Sequence, residues 1–360
     1  MEFLYDKEVC DISDNPDNLE ESIIGFEALY YSMYKCRKGV MWKGSVASFF
    51  LNGTERVLQL EKHLKDGTYK ASPPVKFKVT SPKEREILSI TFKDRVYQRS
   101  LNDNNIYPVM SKGFIRDNCA CQKGKGTDYA RDRMKCFLQK CFRKKGRNLF
   151  VLQCDIHGYY PNMRHDVAKK IFKRKLDPYV FARAEKVLDE QYAGDVGFNP
   201  GSQMIQIAGI SVLDPIDHYI KEVLHIKYYI RYMDDFILLH EDAEYLEECK
   251  VKLRIKLSDM GFTFNENKTR VFPLKNGIMF LGFRFVLTDK GKVLMLLNPD
   301  NVKRERRKLY RLVSLAKKGE RTHSKVDDCY SAWRNHASKG NNYNLILRMD
   351  KYYNNLWKGE

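Results

Sequence analysis

Apolar and polar positions follow two different spacings along this chain. ALYYSMYKCRKG (28–39) and ASFFLNGTERVLQLEKHLKDGTY (47–69) repeat every three to four residues and stop at Gly39 and Gly67, which predicts two helices. PVKFKVTSPKEREILSITF (74–92) alternates instead, as a hairpin does, with SPKE at its turn. Helical spacing resumes over 93–110, and a basic, Gly-punctuated loop over 111–126 opens into another helix. The middle of the chain is richer in strand signals. NLFVLQCDI (148–156) is a short apolar run between Gly146 and Gly158 and predicts a buried strand. Helices are expected over 165–176, 179–192, 205–224 and 246–261, with KYYIRYM and FILLH as two strands between the last two. Short strand pairs are expected in FTFNENKTRVF (262–272) and IMFLGFRFVLT (278–288). From 300 onward the pattern is helical, with Val302, Leu309, Leu312, Val313 and Ala316 on one apolar stripe.

Composition then narrows the partners. The 360 residues carry 64 Lys and Arg against 46 Asp and Glu, a net charge of +18. A surplus of that size points to a polyanion, with nucleic acid favoured over an anionic membrane surface. Residues 301–325 hold ten Lys or Arg and two Glu, while the first 27 residues hold nine acidic side chains and one Lys. That N-terminal stretch reads as a solvated acidic arm, with docking over a basic groove as the alternative. Nine scattered cysteines without a CxxC pair argue against a zinc ribbon and fit reduced thiols. No run approaches 18 apolar residues and no secretory signal opens the chain, so a cytoplasmic protein without a membrane partner is expected.

The chemistry concentrates in carboxylates. Asp155 emerges at the end of a strand that should be inaccessible, and a carboxylate there is costly unless paired or metal-bound. Asp234 and Asp235 sit side by side between two strands; a polar hairpin turn and a metal site both account for that pair. If the strands share one sheet, Asp155, Asp234 and Asp235 meet at one rim as an oxygen-rich site suited to Mg²⁺. Two such ions about 4 Å apart can activate a hydroxyl nucleophile and stabilise a leaving pyrophosphate.

With these residues in view, RYMDDFILLH (231–240) resembles the Tyr-x-Asp-Asp box of reverse transcriptases, and CDIHGYYPNM (154–163) resembles their first catalytic strand. Further segments match in the family's order over most of the chain. The resemblance implies an α+β right-hand polymerase, with fingers (28–149), a ferredoxin-like palm of antiparallel sheet plus helices (150–285) and a basic helical thumb (286–360). It implies catalysis by Asp155, Asp234 and Asp235, with two Mg²⁺ (Mn²⁺ as a substitute) held by these and by the backbone carbonyl of Ile156. Lys78 and Arg85 of the fingers hairpin match the family's triphosphate cations, with Lys83 as a rival for the first. Tyr160 matches the ring beneath the sugar that excludes a 2′-hydroxyl, with Tyr159 as the alternative register. GFNPGSQMIQ (197–206) matches the nucleotide-supporting loop at Gly197, Gly201 and Gln206. Lys268 in FNENKT matches a Lys near the pyrophosphate and is a candidate general acid. Leu281 and Gly282 in FLGFRF match the turn that grips the primer end, and SAWRNHASKGNNYNLILRMDKYY (331–353) resembles the thumb of bacterial members.

The sequence also departs from the pattern. Retroviral members have Gln before the Gly matched at Gly201; here Pro200 stands there, behind Asn199, and Gln203 is a candidate replacement. Dependence on the template base is therefore open. The absence of an RNase H, integrase-like or retron signature implies a compact freestanding enzyme. It resembles the reverse transcriptases of diversity-generating retroelements and the unknown-group enzymes linked to anti-phage defence, and Ile205, where the former usually have Ser, tilts toward defence. The expected partners are dNTPs, a structured non-coding RNA template and the DNA/RNA hybrid product, with homo-oligomerisation open. The competing readings are a retroelement enzyme, a template-independent or protein-primed DNA polymerase, and a non-catalytic RNA-binding protein.

Overall fold

The computed structural model describes residues 16–79, 84–199 and 201–358. In chain order the elements are α1 (Pro16–Ile24), α2 (Phe26–Arg37), α3 (Gly44–Leu51), α4 (Gly53–Lys65), β1 (Val75–Val79), β2 (Arg85–Ser89), α5 (Phe92–Leu101), α6 (Tyr107–Ser111), α7 (Thr127–Lys145) and β3 (Phe150–Asp155). There follow α8 (His165–Lys175), α9 (Pro178–Gln191), α10 (Gln203–Val212), α11 (Asp214–His218), β4 (Tyr228–Tyr232), β5 (Asp235–His240) and α12 (Ala243–Asp259). The chain ends with β6 (Arg270–Pro273), β7 (Ile278–Phe280), β8 (Phe283–Leu287), β9 (Val293–Leu297), α13 (Pro299–Lys317), α14 (His323–Ser338) and α15 (Tyr343–Lys358). It divides into two compact units that interleave in sequence: residues 1–123, 156–223 and 253–265, and residues 124–155, 224–252 and 266–360.

The first unit is built on helices around Leu29, Met33, Val57, Leu60, Val96 and Leu101, all buried. Thr91 caps α5, its hydroxyl accepting from the Asp94 N–H. Asp94 is itself fully buried, and its carboxylate accepts from the Tyr69 hydroxyl (2.7 Å), the Thr91 hydroxyl (2.7 Å) and the Ser72 N–H (3.1 Å). That is how a structural carboxylate survives burial. The antiparallel hairpin β1–β2 runs in register from Val75 opposite Ser89 to Val79 opposite Arg85. Its SPKE turn falls mostly outside the described residues. The expected single helix over 47–69 is two, because the chain breaks at Asn52 (φ −108°, ψ 37°) and Gly53. A side chain on Gly53 would meet the Met33 thioether at 3.0 Å, so the break lets α4 close on α2.

The acidic stretch at the N-terminus is not solvated throughout. Residues 16–24 form α1, and its Ile23 and Ile24 are fully buried. Residues 1–15 lie outside the described set.

The second unit contains a four-stranded sheet, with strand order β4-β5-β3-β6 and every pairing antiparallel. Val151, Leu152, Cys154, Tyr229, Ile230, Phe236, Ile237 and Leu238 bury its interior. A second sheet, β7-β8-β9, includes a strand over 293–297 that the apolar pattern had not marked. FTFNENKTRVF supplies one strand, β6, rather than a pair. Helices α13, α14 and α15 pack together through Leu309, Leu312, Val313, Val326, Trp333, Ile346 and Met349, with Tyr330 and Tyr353 stacked at 4.3 Å. Lys303, Arg304, Arg306, Arg307 and Lys308 remain exposed on α13. Eight described cysteines form no disulfide. Among the described residues no helix is long and apolar enough to cross a membrane.

Truncating Ile23 to Ala should lower unfolding free energy by about 2–5 kcal/mol in urea melts. A solvated arm would give no change.

Candidate active site

The β3–β5 pairing sets Asp155 directly opposite Asp235, and the β4–β5 pairing sets Tyr232 opposite the same Asp235. Met233 and Asp234 form the two-residue turn between β4 and β5. Asp235 therefore begins a strand, while only Asp234 belongs to the turn. Met233 has φ +57°, a left-handed conformation that costs roughly 1–2 kcal/mol for a residue with a Cβ. The turn is held from below: the Arg231 guanidinium, fully buried, donates to the Met233 carbonyl at 3.0 Å. Its charge also favours the ionised form of Asp234.

Asp155 is tied at both ends. Its N–H donates to the Thr269 hydroxyl at 3.2 Å, and the Lys268 ammonium donates to its two carboxylate oxygens at 2.9 and 3.0 Å. Lys268 thus acts as the counter-charge of Asp155. Burial raises the Asp235 pKa to about 7, with the charges of Asp155 and Asp234 adding to the shift and a hydrogen bond from Gln153 opposing it. Asp234 is raised too, first by burial and then by Asp155, against its own N–H, Lys268 and Arg231.

One oxygen of Asp235, Oδ1, is buried and meets no hydrogen-bond donor among the described residues. Unlike Asp94, this carboxylate is buried without being satisfied. Among the described residues no group of three His, Cys, Asp or Glu side chains already stands in metal-ligand geometry. The donor set nevertheless fits a hard divalent cation: three carboxylates at one sheet rim, one with an unused buried oxygen, and a lysine ammonium standing where positive charge is needed.

The Leu281–Gly282 turn joins β7 to β8 with φ +47° and +84°. It too is held by a buried arginine. Arg131 of α7, 6% exposed, donates through Nη2 to the Leu281 carbonyl at 2.9 Å and through Nη1 to Asp128 at 2.8 Å, and its guanidinium covers the Phe283 ring at 4.8 Å. Asp128 in turn accepts from Lys339 at 2.7 Å, and His336 of α14 lies over Phe283 at 4.9 Å.

The remaining candidates lie in the first unit. Lys78 is exposed and pairs with Glu84 at 3.4 Å. Arg85 opens β2 opposite Val79, and its side chain, like Lys83 and Pro200, lies outside the described set. Ile156 bridges to Phe264. Tyr159 is buried, its hydroxyl donating to the Gly209 carbonyl, whereas Tyr160 is half-buried. A Cβ on Gly209 would come within 2.6 Å of the Tyr160 hydroxyl, so only Gly at 209 lets this ring sit where it does. Gly201 packs with no room for a side chain, since a Cβ would meet the Leu88 carbonyl at 2.6 Å. Asn199 donates to the Glu86 carbonyl at 3.0 Å, which fastens the chain at Asn199 to the hairpin. The Gln206 side chain accepts from the Cys121 thiol at 3.7 Å.

Sequence reasoning missed Arg231, Arg131, Thr269, Gln153 and Gly209. Only Arg231 carried a signal: a charge inside an apolar strand run needs a reason.

Replacing Asp235 with Asn should stabilise the protein in chelator by about 1–3 kcal/mol, because it removes a buried, repelled and partly unsatisfied charge. Thermal melts check this; an unchanged or lower melting temperature contradicts the electrostatic account.

Residues 77–285, more than half of the chain, match the sequence model of the family described as reverse transcriptase (RNA-dependent DNA polymerase). No curated protein matches the chain. Among solved structures, the telomerase from Candida albicans in complex with a TWJ fragment of telomeric RNA is similar at a TM-score of 0.50 and 14% identity, over 84% of this chain and 58% of that one. Apo telomerase from Candida tropicalis gives a TM-score of 0.45 at 13% identity, over 63% of this chain and 49% of that one. This chain thus spans about half the length of the telomerase chains it matches. The Candida albicans likeness extends to the polymerase fold of palm and fingers that the family resemblance implied. With its family model matched over the carboxylate strands and the hairpin alike, the chain belongs to the reverse transcriptase (RNA-dependent DNA polymerase) family.

Proposed function

We propose that this chain extends a primer with dNTPs on an RNA template. The observation that carries the reading is the register of β3 and β5, which faces Asp155 with Asp235 and leaves Asp234 at the adjoining turn. In this reading Asp155 and Asp234 hold two Mg²⁺, with Asp235 and the Ile156 carbonyl assisting. When bound, such ions supply activation of the 3′-hydroxyl and stabilisation of the leaving pyrophosphate.

The chain's own residues do the rest. Arg231 and Thr269 fix the carboxylate-bearing backbone, and Lys268 balances the charge of Asp155 and can release a proton from Nζ toward the departing pyrophosphate. Lys78 and Arg85 hold the triphosphate, since a guanidinium forks onto phosphate oxygens and an ammonium adds a point charge. Gly201 and Gln206 support the nucleotide, Tyr160 lies beneath the sugar, and Leu281 with Gly282 holds the primer end. The exposed cations of α13 contact the phosphates of the hybrid, so binding weakens steeply with salt. The template is a structured non-coding RNA and the setting is anti-phage defence, both on analogy with the bacterial enzymes the sequence resembles. A template-independent transferase is the second reading; it is kept open by Pro200, which offers no side-chain donor where retroviral members have Gln.

Primer extension with purified protein, Mg²⁺ and labelled dNTPs, followed by product sequencing, tests the reading. DNA complementary to the supplied RNA, abolished by Asp234→Asn, is expected. Repeated-base products would support the transferase, and no incorporation with any primer would sink both. Tyr160→Ala should improve use of ribonucleotides relative to deoxynucleotides about tenfold to a hundredfold. An unchanged ratio of the two specificity constants contradicts the role given to that ring.

A further inference from the structure

An aromatic and basic surface lies on α2, α3 and the loop joining them. Phe26, Tyr30 and Tyr34 fall four residues apart, so the helix places them on one face. Their rings form a ladder with Phe50 of α3, at centroid distances of 5.2 Å (Phe26–Tyr30), 5.1 Å (Tyr30–Tyr34) and 5.3 Å (Tyr34–Phe50). All four are half-buried, so each keeps part of its ring in solvent. The Arg37 guanidinium closes the ladder, 4.6 Å from the Tyr34 ring and 4.5 Å from that of Phe50.

The loop that follows carries Trp42, which is 80% exposed. Its indole is tethered: Nε1 donates to the Gly39 carbonyl at 3.2 Å, and the Lys43 ammonium lies 5.4 Å from the ring. Tyr31 is also exposed, with the Lys35 ammonium 4.3 Å from its ring; Lys35 pairs in addition with Asp103 at 3.3 Å. Between Glu27 and Glu55 the chain has Lys35, Arg37, Lys38 and Lys43 and no acidic side chain.

Each feature has a physical consequence. A large indole held in water by its own N–H is pre-organised, so a flat ring stacking on it immobilises little that was free. Cations interleaved with the rings supply charge for phosphates, and base–aromatic stacking tolerates any sequence. Paired bases are already stacked on their neighbours, so a duplex cannot offer its faces to these rings. A second copy of the chain would set the same four cations against each other.

We propose that the α2–α3 surface is a docking platform for single-stranded RNA, with bases stacking on Trp42 and the ladder and phosphates at Arg37, Lys38 and Lys43. This deepens the RNA-partner reading above and rests on it for biological sense, although the contact itself requires no catalysis.

The test is anisotropy of a labelled oligouridine, which lacks secondary structure, titrated with the full chain. Trp42→Ala should weaken binding about tenfold, with Trp42→Phe restoring much of the loss, and neither should change the melting temperature. Trp333 is buried and Trp357 half-buried, so RNA should quench the emission of wild-type protein and leave that of Trp42→Phe nearly unaltered. Wild-type affinity in Trp42→Ala would overturn the proposal, as would an equal loss for duplex RNA, which would mean charge alone. A change of oligomeric state with RNA affinity intact would overturn it too, by assigning the face to a second copy. Trp42-dependent RNA binding by a protein that polymerises nothing would leave the platform standing and remove the polymerase reading. Active enzyme with Trp42-independent binding would do the reverse.

Discussion

The structure of the site depends on one pairing, that of β3 with β5. Antiparallel register is quantised by the two-residue period of a strand, so a slip of one residue would turn every side chain to the other face. Here both strands are buried on both faces, Val151, Leu152 and Cys154 on one and Phe236, Ile237 and Leu238 on the other, so the fit of these side chains against their neighbours, rather than an apolar and polar alternation, holds the register. The position of Asp155 opposite Asp235 is thus a consequence of packing several residues away. The sheet's hydrophobic packing holds these carboxylates together in a buried place, and the Asp235 and Asp234 pKa values are raised first by that burial and then by their acidic neighbours. Asp94 makes the contrast plain, since three donors satisfy it at full burial. A carboxylate buried for structure is saturated with hydrogen bonds; Asp235 keeps an oxygen in reserve.

Two turns of the second unit are solved alike. Met233 and Leu281 both adopt left-handed backbone without being glycine, and in both cases the carbonyl of the strained residue accepts from a buried arginine, Arg231 or Arg131. Strain of this kind persists only where the surroundings over-determine it. The Arg131 link continues through Asp128 to Lys339 and so joins the Leu281–Gly282 turn to α14. A turn anchored on both sides can present a backbone edge in a fixed position, which is what gripping a primer end would ask of it.

Much of this was legible in the sequence. Strand β3, the β4–β5 pair and the helices that follow were marked by apolar spacing and glycine punctuation, and Asp155 was conspicuous because it follows a run that had to be buried. The break at Asn52–Gly53 was missed because apolar residues continue in helical phase across it, and the reason for the glycine, the Met33 thioether, is a tertiary contact. Helix α1 was hidden by its charge: nine acidic residues in the first 27 outweighed the Ile23–Ile24 pair that anchors it. The arginines under the turns were the least legible. Arg131 lies on a helix crowded with cations, and nothing in its spacing separates the one that is buried from those that are not.

Manganese binding, followed by electron paramagnetic resonance of the free ion, asks whether the three carboxylates hold a divalent cation. Wild-type protein should take up Mn²⁺, Mg²⁺ should compete for it, and Asp155→Asn should abolish the uptake while leaving the fold intact. Uptake by Asp155→Asn equal to that of the wild type would mean that the three carboxylates, however well the sheet aligns them, are not a metal site.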